Sequence, residues 1–123
     1  MAPITLTVNG TSEAVDCGLV INPTIVEQQI ESGVIVGLTA ALQGEITLEG
    51  GRVQQSSFDD YPLLRMGEVP VIETHILPSE RNPQGIGEMS VPLIAPAVAN
   101  AVFTATAKRI RRLPIRAEAR REG

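Results

Sequence analysis

Hydrophobic and polar positions along the chain fall into blocks of two different periods. Ile4-Thr5-Leu6-Thr7-Val8 alternates in β-favouring residues, Asn9-Gly10 is a tight-turn pair, and Ser12 to Cys17 reads as the returning strand. Gly18 and then Asn22-Pro23 end that block. From Thr24 to Gln43 the period becomes helical: Ile30, Val34, Leu38 and Ala41 recur on one face. Thr24 stands where a cap belongs, with Glu27 three residues on as in a capping box. Gly33 and Gly37 lie inside this helix, where each costs about 1 kcal/mol against Ala. Close approach of another backbone accounts for keeping them, and Gly44 stands at the expected C-cap.

Farther along, Glu45 to Glu49 and Arg52 to Ser56 alternate on either side of Gly50-Gly51, which predicts a hairpin with a primed turn. The stretch 59–70 is irregular, broken by Pro62, Gly67 and Pro70. Val71 to Leu77 alternates again and predicts a strand, with His75 on the face of Val71, Glu73 and Leu77 and opposite Ile72, Thr74 and Ile76. A turn-rich segment leads to Gly85-Ile86-Gly87-Glu88. A second helix, rich in Ala and Val, is predicted over 95–109, with Lys108, Arg109 and Arg111 at its C-terminal end and Pro114 beyond. The order is strand, strand, helix, hairpin, strand, helix. This is an α+β pattern: short strands and hairpins in a mixed or antiparallel sheet, with two helices.

Composition narrows the function classes. The 123 residues allow one modest core, and with 43% hydrophobic but 2% aromatic content that core must be aliphatic. A net charge of −4 offers no general attraction to nucleic acid, and the basic run from Lys108 to Arg121 is offset by Glu118 and Glu122. The single cysteine, Cys17, excludes an intrachain disulfide and any multi-cysteine metal site. The apolar run from Val91 to Ala107 is interrupted by Pro92, Pro96 and Asn100, so no membrane span is expected. No signal-peptide pattern opens the sequence, and a cytoplasmic location is expected.

Candidate chemistry is sparse. A Ser-His-Asp site would have to use His75, the only histidine, and its mid-strand position reads as structural. Asp59-Asp60 and Glu73 lack regular ligand spacing, so no metal site made of this chain's own side chains is predicted. What remains is Gly85-Ile86-Gly87-Glu88-Met89-Ser90-Val91-Pro92. Two glycines before an acid let the backbone approach a bulky group and aim the carboxylate into a cleft. On spacing alone, a lone glycine-flanked Glu reads first as an ordinary loop residue.

An ordered set of short motifs adds a resemblance. Asp16-Cys17-Gly18, Asn22-Pro23, Gln29-Ile30-Glu31, Gly33, Gly37, Ala41-Leu42 and Gly44-Glu45 follow one another as in the xanthine dehydrogenase/aldehyde oxidase family of molybdenum hydroxylases. Tyr61-Pro62, Pro70, Gly85-Ile86-Gly87-Glu88 and the run Ala95 to Ala101 continue in the same order. The ending Lys108 to Pro114 looks most like β subunits of the isoquinoline 1-oxidoreductase type. The match covers residues 14–115 and resembles the C-terminal part of the family's molybdopterin-binding large subunit. Residues 1–13 are similar to the opening of the separate iron–sulfur subunit, and 116–123 is expected to be a disordered charged tail.

The resemblance implies a function. Glu88 corresponds to the acid that serves as base toward a molybdenum-bound hydroxyl, whose oxygen attacks an electron-poor carbon of an N-heterocycle or aldehyde. Gln29 corresponds to the glutamine that hydrogen-bonds the pterin, and Gly85 and Gly87 to the glycines bordering the cofactor. The implied cofactor is molybdopterin or its cytosine dinucleotide, held only within a larger assembly, and no iron–sulfur cluster is expected in this chain. The implied partners are the rest of a large subunit and an iron–sulfur subunit, and relatives of the isoquinoline type extend the expected location to the periplasm. Two positions depart from the family pattern: Met89 stands where Pro is common, and Ser32 where a second Gly is common. The alternative is a non-catalytic remnant, a small interaction module that self-associates through apolar surface on Ile30, Val34, Leu38 and Val98 to Phe103.

Overall fold

A computed structural model of the chain describes residues 3–8 and 11–115. The Asn9-Gly10 turn and the charged tail from Arg116 lie outside the described residues. Strands β1 (Pro3–Val8) and β2 (Thr11–Asp16) pair antiparallel, with Pro3 opposite Asp16 and Val8 opposite Thr11. Helix α1 (Pro23–Leu42) follows, then β3 (Leu48–Glu49) and β4 (Arg52–Val53), a 3-10 turn at Met66–Glu68, and helix α2 (Val91–Thr106). The strands form two separate two-stranded sheets, so the molecule is α+β as expected.

The start of α1 differs from expectation by one choice of cap. Asn22, not Thr24, caps it: the Asn22 side chain accepts a hydrogen bond from the Ile25 N–H at 3.4 Å, and Pro23 occupies the first turn, where its missing N–H goes unmissed. At the other end the Gly44 N–H returns to the Thr39 carbonyl at 2.8 Å. The Gly50-Gly51 turn is as predicted, with φ of +56° and +79°, the left-handed pair that a primed hairpin needs. Its ladder is shorter than the alternation suggested. Beyond Leu48–Val53 it continues only through the Gln54 N–H to the Thr47 carbonyl, 2.9 Å, and the Gln55 side chain bonded to Thr47.

The predicted strand over 71–77 is not paired. Its burial alternates as read, with Ile72, Thr74 and Ile76 half-buried and Val71, Glu73, His75 and Leu77 exposed, but among the described residues no neighbouring strand completes a ladder. The period reports which side faces the protein; pairing requires a partner that the pattern cannot name.

Helix α2 starts four residues earlier than predicted and stops three earlier. Pro92 sits in its first turn, and the chain leaves the helix at Ala107, at φ +59°, whose N–H bonds the Phe103 carbonyl at 2.7 Å. The basic residues therefore lie past the helix end. Arg109 folds back over the Phe103 ring at 3.7 Å and donates to Asn100 Oδ1 at 3.0 Å.

The two helices pack through the glycines of α1, the backbone approach anticipated for them. A methyl at Gly37 would lie 2.8 Å from Ile94 Cβ and 3.0 Å from the Val91 carbonyl, and one at Gly33 would collide with the Ser90 hydroxyl. Ile30 (1% exposed) and Cys17 (3%) form the centre of the core, with Val20, Val26 and Ile86 packed on them. Of the apolar residues named for self-association, Ile30 is buried, Val34 and Leu38 are half-buried, and Val98 to Phe103 are half-buried apart from the exposed Ala101. Exposed apolar side chains lie elsewhere, notably Met66, Val71, Ile21 and Phe58. No helix among the described residues is long and apolar enough to cross a membrane.

Candidate functional site

The segment bearing Glu88 is held by contacts to two distant parts of the chain. Upstream, residues 17–19 and 81–84 clasp each other: the Leu19 N–H donates to the Arg81 carbonyl and the Gln84 N–H to the Cys17 carbonyl, both at 2.8 Å. The clasp needs Gly18, at φ +74°, because a side chain there would strike the Asn82 carbonyl. Asp16 reinforces it. One carboxylate oxygen accepts from the Gly18 N–H at 3.0 Å and the Ser79 hydroxyl at 3.2 Å, and the other pairs with Arg81 at 3.0 Å. The Gly18 N–H above all, then Ser79 and Arg81, hold the Asp16 carboxyl below its ordinary value.

Downstream, Glu88 sits in the turn that enters α2, and its carbonyl accepts from the Val91 N–H at 3.2 Å. Ser90 follows, 1% exposed, its hydroxyl donating to the Ile30 carbonyl of α1 at 3.2 Å. The loop is thus moored to β2 on one side and to α1 on the other, while Glu88 itself is exposed.

Gly85 and Glu88, with Met89, Val91 and Pro92, line an open recess of about 600 Å³. At Gly85 and Gly87 a Cβ would meet no atom within 4 Å, so the chain's own packing does not explain either glycine, and the space beside both is free for a bulky group. Gln29 is exposed on α1 and lines a different recess, about 340 Å³, with Gln84, Ile86, Ile25 and Leu19 among its walls and Cys17 in it. Gly85 and Glu88 are therefore brought together, Gln29 lines a separate recess with Pro83, Gln84 and Ile86, and Gly87 lines neither. Among the described residues no three His, Cys, Asp or Glu side chains converge on a metal position. His75 is exposed, its Nε2 3.9 Å from a carboxylate oxygen of the equally exposed Glu73.

Sequence reasoning missed Ser90 and the Asp16–Ser79–Arg81 cluster. A serine directly before Val91-Pro92, at the start of a predictable helix, was the one available signal for the first. The second joins Asp16 to residues 63 or more positions away and left none.

Comparison with known proteins identifies the family. The molybdopterin cofactor-binding domain matches residues 3–70, and the chain belongs to the molybdopterin-binding xanthine dehydrogenase family. It is 39% identical over 112 residues to the beta chain of isoquinoline 1-oxidoreductase from Brevundimonas diminuta, covering 91% of this chain and 14% of that one. It is 38% identical over 104 residues to a nicotinate dehydrogenase subunit of Pseudomonas putida, covering 84% of this chain and 9% of the relative. The chain thus spans a small part of the length of the relatives it matches. Among solved structures, the copper- and molybdenum-containing carbon monoxide dehydrogenase in its carbon-monoxide-reduced state superposes with a TM-score of 0.62 at 32% identity, over 80% of this chain and 14% of the other. Quinoline 2-oxidoreductase from Pseudomonas putida 86 shares the fold, with a TM-score of 0.66 at 24% identity, over 91% and 17%.

Proposed function

We propose that this chain forms one wall of a molybdenum hydroxylase active site, with Glu88 as the general base. The observation that carries this reading is the exposed Glu88 carboxylate on an open recess, beside two glycines whose vacant sides the chain's own packing does not explain. When bound, the molybdenum cofactor would supply the two-electron redox chemistry. Glu88 accepts a proton at a carboxylate oxygen; an acid on a doubly moored turn keeps its position through that transfer, which is what general-base catalysis requires. Gly85 and Gly87 let the cofactor come close to the backbone. Gln29 can donate to and accept from a pterin edge with one uncharged amide.

The substrates that suit this reading are small electron-poor N-heterocycles or aldehydes: two relatives are named for isoquinoline and nicotinate, and a third for aldehydes. Electrons leave through a separate iron–sulfur subunit, since such clusters take four cysteines as a rule and this chain has one, buried. The rest of a large subunit covers the exposed Met66, Val71, Ile21 and Phe58. The test is co-purification. The chain is expected to carry molybdenum cofactor when co-expressed with the remaining large-subunit sequence of a relative and to carry none by itself. Equal cofactor content and turnover of N-heterocycles by the isolated chain would contradict the shared site.

A further inference from the structure

We propose that Ser90 is a positioning residue for Glu88, tying the turn that carries the carboxylate to the helix that carries Gln29; this rests on the reading of Glu88 as base. Ser90 occupies the N-cap position of α2, where a serine ordinarily accepts a hydrogen bond from its own helix. Here it makes no such bond. Pro92 has no N–H to offer, and the Leu93 N–H goes to the Ser90 carbonyl at 3.3 Å instead. The hydroxyl is turned away from its own helix and donates to the Ile30 carbonyl, 60 residues away in sequence.

The packing around it is specific to that use. Ser90 is 1% exposed, and Gly33 provides the room for its hydroxyl: any β-carbon at position 33 would occupy that space. The glycine in α1 and the serine in the turn are two halves of one contact. Only one residue separates Ser90 from Glu88, and the Val91 N–H bond to the Glu88 carbonyl closes the turn between them. With the side chain of Glu88 exposed and the glycines before it in open space, this buried contact is the nearer in sequence of the two moorings to the carboxylate.

The test uses Ser90→Ala and Ser90→Cys in the assembled enzyme, with Glu88→Gln as reference, and amide hydrogen exchange on the 123-residue chain. Loss of the tie is expected to lower kcat per molybdenum by roughly ten- to a hundredfold, because small displacements of a catalytic group have effects of that order. KM is expected to stay nearly constant and the pH–rate profile to shift, and Ser90→Cys, with its weak donor at similar size, should fall between. In the free chain, exchange should quicken at Gly85 to Val91 while the middle of α1 is unchanged. A purely structural serine would lower the yield of loaded enzyme but leave kcat per molybdenum and the pH profile alone. That result, with Glu88→Gln inactive, overturns the positioning role and leaves the base standing. Full activity of Glu88→Gln overturns both. Should Ser90→Ala not fold, Ser90→Cys with unaltered kinetics and exchange overturns the proposal by itself.

Discussion

Replacing Gly37 by alanine sets two effects of opposite sign against each other. Helix propensity favours the change: a mid-helix alanine is better than glycine by about 1 kcal/mol. Packing opposes it. The new methyl would sit 2.8 Å from both Cβ and Cγ1 of Ile94 and 3.0 Å from the Val91 carbonyl oxygen. Carbon pairs are comfortable at about 3.5–4.0 Å, so α1 and α2 would have to separate by most of an ångström. A side chain could rotate aside, but the Val91 carbonyl belongs to the first turn of α2 and cannot. Overpacking of this kind costs about 1–3 kcal/mol, so the net expectation is destabilisation of up to about 2 kcal/mol. The control is Ser32→Ala, exposed on the same helix, which should stabilise by a few tenths of a kcal/mol. Urea unfolding followed by far-ultraviolet circular dichroism reads both, and the midpoint should fall for Gly37→Ala with the slope unchanged. If Gly37→Ala proved more stable than the parent by the full helix-propensity gain of about 1 kcal/mol, the close helix contact would be wrong.

Three further expectations concern stability. Ile30→Ala removes a 1%-exposed side chain from the centre of the core and should destabilise by about 2–5 kcal/mol in the same assay. Gly50→Ala and Gly51→Ala place a β-carbon in empty space but at positive φ, so each should lose about 1 kcal/mol from backbone strain alone, and a D-alanine at either site should not. Asp16 and Asp60 both have lowered carboxyl pKa values, Asp16 through the Gly18 N–H first and Asp60 through the Ser56 and Ser57 N–H groups. A depressed folded pKa contributes stability above the unfolded value, about 3.9, that is lost as pH falls through the folded value. Asp16→Asn and Asp60→Asn should therefore be less stable than the parent at neutral pH and converge with it in acid below about pH 4. A stability difference that persisted undiminished at the lowest pH would refute the assignment.

The parts of the fold legible in the sequence are those set by local rules. Gly50-Gly51 announces its hairpin because two successive left-handed residues are nearly a glycine monopoly, and α1 announces itself through Ile30, Val34, Leu38 and Ala41. Even Gly33 and Gly37 pointed to a close helix contact, although nothing in the pattern named Ser90 or Ile94 as what they meet. Where a feature depends on a distant partner, the pattern fails. The alternation over 71–77 gave the correct inward residues yet no ladder, and the cap fell to Asn22 because Pro23 after it could start the helix earlier than Thr24. The site divides the same way. Glycine spacing alone leaves Glu88 an ordinary loop acid; family resemblance singles it out, and the geometry adds what neither supplies, the two moorings on β2 and α1.

The central claim is that Glu88 is a base whose loss removes chemistry and not assembly. The direct measurement is turnover per bound molybdenum for Glu88→Gln in the complex completed with the remaining large-subunit sequence and an iron–sulfur subunit. The substitution keeps the size of an exposed side chain and replaces the charged proton acceptor by a neutral amide. Molybdenum content is expected to match the parent and turnover of N-heterocycles or aldehydes to fall by roughly a hundred- to ten-thousandfold. Turnover equal to the parent at equal molybdenum content would contradict the account.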